Sequence, residues 1–450
     1  MKISINNIGH VKHAEIEVNS ITVIAGNNNT GKSTVGKALY AIATGLDLMD
    51  PYSIIQEKAE SINRQLQAIY SLIELDNNQR TLLLEIEKQN KPHLYLEGLH
   101  TGSLEEIDTN YSQQMLNYIN DFFLSFNSHT PIAKNSILNR VKSEIERLLN
   151  TPIDDKNFKL NIMQKVFSAE FFQQISNLNH PNLISSICVK EVNQPEINLL
   201  FENHQILDTG TNLDTNRPFS KAIYIDNPFI LDDEKSSIFI SSSNRYIHSM
   251  ALKTILFPKF QWKNQNLFEL NNTEHKIDDI FKYVMNKGKP VRKEGRHYFE
   301  SADIKTPLAF ENISTGLKSF SILYILLTSQ GLINCEYIIL DEPEIHLHPD
   351  WQLKYAELVV LMSKEFNLKI IITSHSPYFI EAIEIFSKKH NYFDDVKFYK
   401  TQLCEETDGF IIKDTTKNIS DLYDDLAAAL YELENIRDAI EDGENFGNDR

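Results

Sequence analysis

Gly26-Asn27-Asn28-Asn29-Thr30-Gly31-Lys32-Ser33 packs glycines, asparagines, a lysine and hydroxyls into one short stretch. These residue types suit one task, wrapping backbone amides around phosphate oxygens. Gly26 and Gly31 let the backbone approach closely, and asparagine tolerates left-handed turns. Lys32 supplies charge for the β- and γ-phosphates, Ser33 offers a hydroxyl to Mg²⁺, and Thr34 stands where an α-phosphate would lie. Such a loop has to be held between a strand and a helix. Ile21-Thr-Val-Ile-Ala25 reads as a buried strand, and Val35, Leu39 and Ile42 recur at helical spacing. A chance glycine-rich turn explains neither flank.

A second chemical feature ends another apolar run. Glu336-Tyr-Ile-Ile-Leu340 reads as a strand closing on Asp341-Glu342. Two adjacent acids there are costly unless they hold a cation or move protons. In P-loop NTPases the first acid belongs to the Mg²⁺ shell, so Asp341 joins Ser33 as a candidate metal residue. Glu342 is then the candidate general base. The alternative is a solvated pair of charges. In Pro343-Glu-Ile-His-Leu-His-Pro349, His346 and His348 suggest a metal only if a third ligand joins them, and none is evident nearby. Structural or nucleotide-adjacent roles fit these histidines better.

Trp351 to Phe366 reads as a helix and Leu368 to Thr373 as a strand that ends in Ser374-His375-Ser376-Pro377. Ligands gather at strand ends in open α/β sheets. There His375 would sense a γ-phosphate or align water, unless it is simply a satisfied surface histidine. A serine hydrolase fits poorly, because no nucleophile elbow accompanies the pair.

Ser314-Thr315-Gly316 opens an apolar stretch running from Phe320 to Leu327 and, taken alone, is a helix cap. Its meaning depends on the order of the other motifs. GNNNTGKST, STGLKS, YIILDEPEIHLHP and IIITSHSP together resemble the ABC-type ATPases of the SMC and DNA-repair class. Within that class they look most like the OLD-like AAA ATPases of bacterial anti-phage defence, similar to those of Septu-type (PtuA-like) and AriA-like systems. The resemblance covers about 1–40 and 222–387. It implies an α/β fold, an ABC-type P-loop ATPase head with ATP and Mg²⁺ as cofactors. It also implies that Ser314, Thr315 and Gly316 touch the γ-phosphate held by another protomer, so two ATP molecules are sandwiched in a head-to-tail dimer. Lys318 adds charge in the first turn. Leu317 departs from the polar residue usual after the glycine, and no glutamine loop can be assigned around 222–228.

The domain organisation expected is a head built from 1–48 and 221–413, a mainly helical insert over 49–220, and an acidic C-terminal helix and tail over 414–450. The insert lacks sustained heptads, so long coiled-coil arms are not expected. The basic stretch Lys287 to Arg296 reads as a solvated hairpin turn, with nucleic-acid contact as the sharper alternative.

The bulk numbers narrow the function further. The chain has 450 residues, 42% hydrophobic and 24% charged, with a formal net charge of -18. That charge argues against a protein that coats nucleic acid broadly. Cys188, Cys335 and Cys404 lie far apart, which excludes a zinc ribbon or zinc hook. The start lacks a signal-peptide core, and no run matches a membrane span. A cytoplasmic ATPase with no membrane partner is expected. It would dimerise, with higher homo-oligomers possible, and regulate a separate effector nuclease of HNH or Toprim type. The competing expectation is an SMC-like clamp that binds DNA directly in repair or chromosome maintenance.

Overall fold

Ile21-Thr-Val-Ile-Ala25 is apolar or β-branched on both faces, and all five residues are buried (β3). That pattern belongs to an inner strand of a parallel sheet covered on both sides. The computed structural model describes residues 1–49, 51–72, 75–90, 104–126, 132–151, 155–213, 221–233, 246–257, 277–284, 288–293, 296–301, 303–328, 332, 335–404 and 409–441.

The described strands are β1 (Lys2–Ile8), β2 (Val11–Glu17), β3, β4 (Ser185–Lys190), β5 (Ile197–Glu202), β6 (Gln205–Ile206) and β7 (Lys221–Ile225). They continue as β8 (Gly288–Lys293), β9 (Arg296–Ser301), β10 (Leu308–Ala309), β11 (Cys335–Asp341), β12 (Lys369–Ser374), β13 (Val396–Leu403) and β14 (Phe410–Asp414). Eleven form one sheet in the order β6-β5-β4-β1-β2-β14-β13-β3-β12-β11-β7. From β13 to β7 every pairing is parallel. Register aligns Ile24 with Thr373 and Thr373 with Asp341, so the carboxyl ends of β3, β12 and β11 are level. Strands β8, β9 and β10 form a second, antiparallel sheet.

The chain divides into two compact units, one of 1–44 with 163–450 and one of 45–162. The sequence reading drew the insert to residue 220. In the structure β4 pairs antiparallel with β1, from Lys2↔Lys190 to Asn6↔Ser186, so β4 to β6 extend the large sheet. The second unit carries α2 (Pro51–Leu72), α3 (Asn77–Gln89), α4 (Leu104–Leu124) and α5 (Ile132–Asn150), after α1 (Lys32–Asp47). Its core contains Ile62, Leu66, Tyr111, Met115, Phe122 and Ile145. A capping box starts α3, with Gln79 N–H donating to Asp76 Oδ1 at 2.8 Å and Asp76 N–H to Gln79 Oε1 at 3.1 Å. Helix α6 (Asp155–Glu170) ends just before Phe172 and Gln173, which take left-handed backbone angles.

In the first unit, α7 is His248–Leu256, α8 Thr315–Thr328, α9 Pro349–Phe366, α10 Pro377–Lys389 and α11 Ser420–Glu441. Helix α8 is buried nearly all round and its Phe320 ring meets Tyr355 edge-on, centroids 5.1 Å apart. Proline at the first turn and a capping side chain start both α9 and α10, from His348 and Ser376. Asn367 closes α9 in the left-handed conformation. Of the basic stretch, 288–293 and 296 lie in the β8–β9 hairpin, while residues 287, 294 and 295 lie outside the described residues, as does the acidic tail beyond 441. Among the described residues no helix is long and apolar enough to cross a membrane.

Candidate functional site

The loop between β3 and α1 is held from both sides. A Cβ on Gly26 would lie 1.8 Å from Thr401 Oγ1 on β13, and one on Gly31, where φ is +86°, would lie 2.7 Å from Val11 Cγ2. The glycines therefore admit a backbone path closed to any side chain. Asn29 takes φ 63°, as asparagine can. Thr30 is buried, donates to Asn27 O at 2.8 Å and accepts from Thr401 Oγ1 at 2.9 Å, while Asn27, Asn28 and Asn29 remain exposed. Thr34 N–H donates to Gly31 O at 3.1 Å as the helix begins.

The level strand ends bring the other predicted residues to this loop. Ser33 Oγ donates to Asp341 Oδ1 at 2.9 Å. Lys32, 3% exposed, donates to Asn27 O at 2.8 Å and lies 3.3 Å from Glu342 Oε1. Glu342 has φ 48°, an unusual left-handed angle for a glutamate, and its N–H bonds Thr373 O at 3.0 Å. His375 Nδ1 stands 3.5 Å from Glu342 Oε1 and 3.7 Å from Glu344 Oε1. Lys32, Ser33, Asp341, Glu342 and His375 thus form one cluster.

Sequence reasoning missed three members of this cluster. Thr373 donates to Asp341 Oδ1, and Tyr224 at the end of β7 donates to Asp341 Oδ2 at 2.7 Å. Burial, then the neighbouring Asp341 charge, raises the Tyr224 pKa well above the usual phenol value, so it stays a donor. Glu344 is 2% exposed and accepts from Ser374 Oγ at 2.5 Å and His375 N–H at 3.1 Å. Burial pushes its pKa up, towards the neutral acid, and its Oε2 has no hydrogen-bond partner. The signal for Glu344 was its short spacing from Asp341; Tyr224 and Thr373 carry no local signal.

Ser314, Thr315 and Gly316 are placed differently. Ser314 is exposed and caps α8 through Leu317 N–H at 3.4 Å. Gly316 is buried against Trp351, where a Cβ would meet Cε3 at 3.0 Å. Among the described residues, no hydrogen bond or ion pair links these three to the phosphate loop. His346 packs edge-on against Phe229, and His348 caps α9 by accepting from Asp350 N–H at 3.4 Å.

The donor set fits a hard cation and a phosphate chain. Ser33 and Asp341 offer the oxygen ligands Mg²⁺ prefers, and the glycine cradle leaves amides and Lys32 for anionic oxygens.

Residues 21–381 match the family described as "AAA domain, putative AbiEii toxin, Type IV TA system". No curated protein matches. Similar solved structures include the SMC head domain from Thermotoga maritima, at 9% identity, 92% coverage of this chain, 97% of that chain and TM-score 0.36. Another is an SmcHead bound to the C-winged helix domain of ScpA, at 11% identity, 93% and 98% coverage and TM-score 0.41. A third is an Smc head domain with an extended coiled coil, bound to the C-terminal domain of ScpA derived from Pyrococcus furiosus, at 11% identity, 97% and 98% coverage and TM-score 0.27. With most of its length matched, the chain belongs to this AbiEii-like family of AAA ATPase domains.

Proposed function

We propose that the chain hydrolyses Mg-ATP as a head-to-tail pair and that this cycle governs a separate effector nuclease in anti-phage defence. The observation that carries the ATPase reading is the Ser33–Asp341 bond beside the Lys32–Glu342 pair, at the level ends of parallel strands. Glu342 takes the proton of the attacking water as its oxygen bonds to the γ-phosphorus and the bridging bond to ADP breaks. Lys32 and the loop amides hold the transferred charge. Ser33 and Asp341 would hold Mg²⁺, which neutralises phosphate charge when bound. His375, beside both Glu342 and Glu344, orients the water or the γ-phosphate.

Pairing is supported by the exposed Ser314 cap, which offers a hydroxyl and a helix N-terminus with no link to its own loop among the described residues. The effector reading rests on the sequence likeness to the Septu-type and AriA-like ATPases. Glu342→Gln tests the enzyme: ATP binding should persist, turnover stop and dimers accumulate in light scattering. Monomers with normal turnover would end the reading. For the effector, the product of the adjacent reading frame, HNH or Toprim type, should co-purify. Defence by the ATPase alone would remove that part.

A further inference from the structure

Tyr224 stands near the end of β7, and strand register carries its hydroxyl to Asp341. In the parallel β7–β11 pairing Tyr224 lies opposite Ile339. Residues two apart on a strand share a face, so Ile339 and Asp341 both lie on the side that Tyr224 occupies. The phenol reaches one step further along and donates to Asp341 Oδ2 at 2.7 Å. The other oxygen, Oδ1, accepts from Ser33 Oγ at 2.9 Å and from Thr373 Oγ1. The carboxylate is thus divided, with the phosphate-loop serine on one oxygen and Tyr224 on the other.

The fold holds the Tyr224 ring where it is. The residue is 1% exposed. Helix α1 crosses the ring at Gly36, where a Cβ would lie 3.1 Å from Tyr224 Cε2 and 2.9 Å from Ile339 Cγ2. Gly36 is three residues from Ser33, so the two lie on one side of α1. The face of α1 that brings Ser33 to Oδ1 therefore rests on the ring that serves Oδ2. The His248 ring also lies against Tyr224, centroids 4.5 Å apart. His248 is itself fixed, with Nδ1 2.7 Å from Glu170 Oε1 and Nε2 3.0 Å from Asp226 Oδ2. Tyr40, buried in the same aromatic group, sends its hydroxyl elsewhere, to the main-chain oxygen of Tyr246 at 3.4 Å.

We propose that Tyr224 is a positioning residue for the metal, an inference that rests on reading Ser33 and Asp341 as the Mg²⁺ residues. The last torsion of an aspartate is broad and two-fold, so the side chain alone does not choose which oxygen faces Ser33. A donor fixed on Oδ2 makes that choice and leaves Oδ1 turned to the loop. Partners of this kind orient a metal-binding carboxylate, and their loss weakens metal binding by about 10–100-fold.

The test compares the full chain with Tyr224→Phe, which keeps the ring and removes the hydroxyl. Asp341 retains its bonds from Ser33 and Thr373, so the fold should persist. Calorimetry with a non-hydrolysable ATP analogue, first in EDTA and then with Mg²⁺ titrated in, separates nucleotide from metal. Binding in EDTA should match that of the parent. The Mg²⁺ concentration for half-saturation should rise by about 10–100-fold. Turnover should fall at low Mg²⁺ and return towards the parent value as Mg²⁺ is raised. Tyr40→Phe, which removes a hydroxyl that does not bond Asp341, should leave the metal constant unchanged. A lower thermal midpoint in Tyr224→Phe with an unmoved metal constant would mean a purely structural bond and would overturn this role. So would an equal shift of the metal constant in Tyr40→Phe, because packing would then be responsible. A parent whose analogue binding ignores Mg²⁺ would instead overturn the metal reading of Ser33 and Asp341, a separate result.

Discussion

Lys32 Nζ lies 3.3 Å from Glu342 Oε1, so the lysine of the phosphate loop is paired with the candidate base. The pair spans two strand spacings, because β12 separates β3 from β11. Lys32 is almost fully buried, so each charge leans on the other. In the proposed reaction an arriving phosphate competes for Lys32 and releases the Glu342 carboxylate to accept a proton.

Glu342→Gln removes that competition and the base together. ATP should bind at least as tightly as in the parent, while kcat falls by about 10²–10⁴-fold. Equilibrium binding and steady-state turnover separate the two effects. A large loss of binding would show that Glu342 positions the loop rather than serving as base.

Ser314→Arg should leave ATP binding by each chain intact and abolish turnover. Mixing it with Lys32→Ala gives the sharper measurement. In a head-to-tail pair, one site then combines an intact loop with an intact Ser314, and activity returns. Two inactive proteins that stay inactive after mixing would rule out the shared site.

Gly31→Ala should destabilise the fold by about 1–3 kcal/mol, through its left-handed backbone angle and the close approach to Val11. Adding Val11→Ala should recover only the steric share. Urea unfolding of both variants measures this, and a Gly31→Ala protein as stable as the parent would contradict it.

His248, whose ring lies 4.5 Å from that of Tyr224, sets a pH dependence of stability. Its Nδ1 lies 2.7 Å from Glu170 Oε1 and its Nε2 3.0 Å from Asp226 Oδ2. Burial alone would lower the His248 pKa, but these two carboxylates outweigh it and raise the value to about 9. A folded-state pKa above the unfolded one means the stabilisation is complete below about pH 6.5 and is lost as pH rises through about 9. The loss should be on the order of 3 kcal/mol. Urea melts across that range, with NMR titration of the ring, test it; an imidazole titrating near 6.5 would refute it.

Glu344→Gln should be tolerated, since burial penalises the charged carboxylate and the amide oxygen still accepts from Ser374 and His375. Glu344→Ala should cost about 1–3 kcal/mol, because the buried Ser374 hydroxyl and the part-buried His375 N–H lose their acceptor. Similar stability for the two variants would show that those bonds contribute little.

The phosphate loop was legible in the sequence because its chemistry is local. Gly26, Gly31, Lys32 and Ser33 act within one turn, and the flanking apolar patterns already placed a strand and a helix there. Asp341, Glu342 and His375 were legible as polar ends of apolar runs, since such runs become inner strands and ligands gather at their ends. The strands at 185–206 were not recognised as part of the large sheet, because their pairing with Lys2–Asn6 is a long-range choice that no local pattern records. Tyr224 and Thr373 were invisible for the same reason. Their hydroxyls meet Asp341 only because β7, β11 and β12 align in parallel register. Residue type and spacing thus decided which groups can do chemistry. Tertiary structure decided which of them share a proton, a charge or a cleft, because those distances depend on strand order and register rather than on neighbours in the chain.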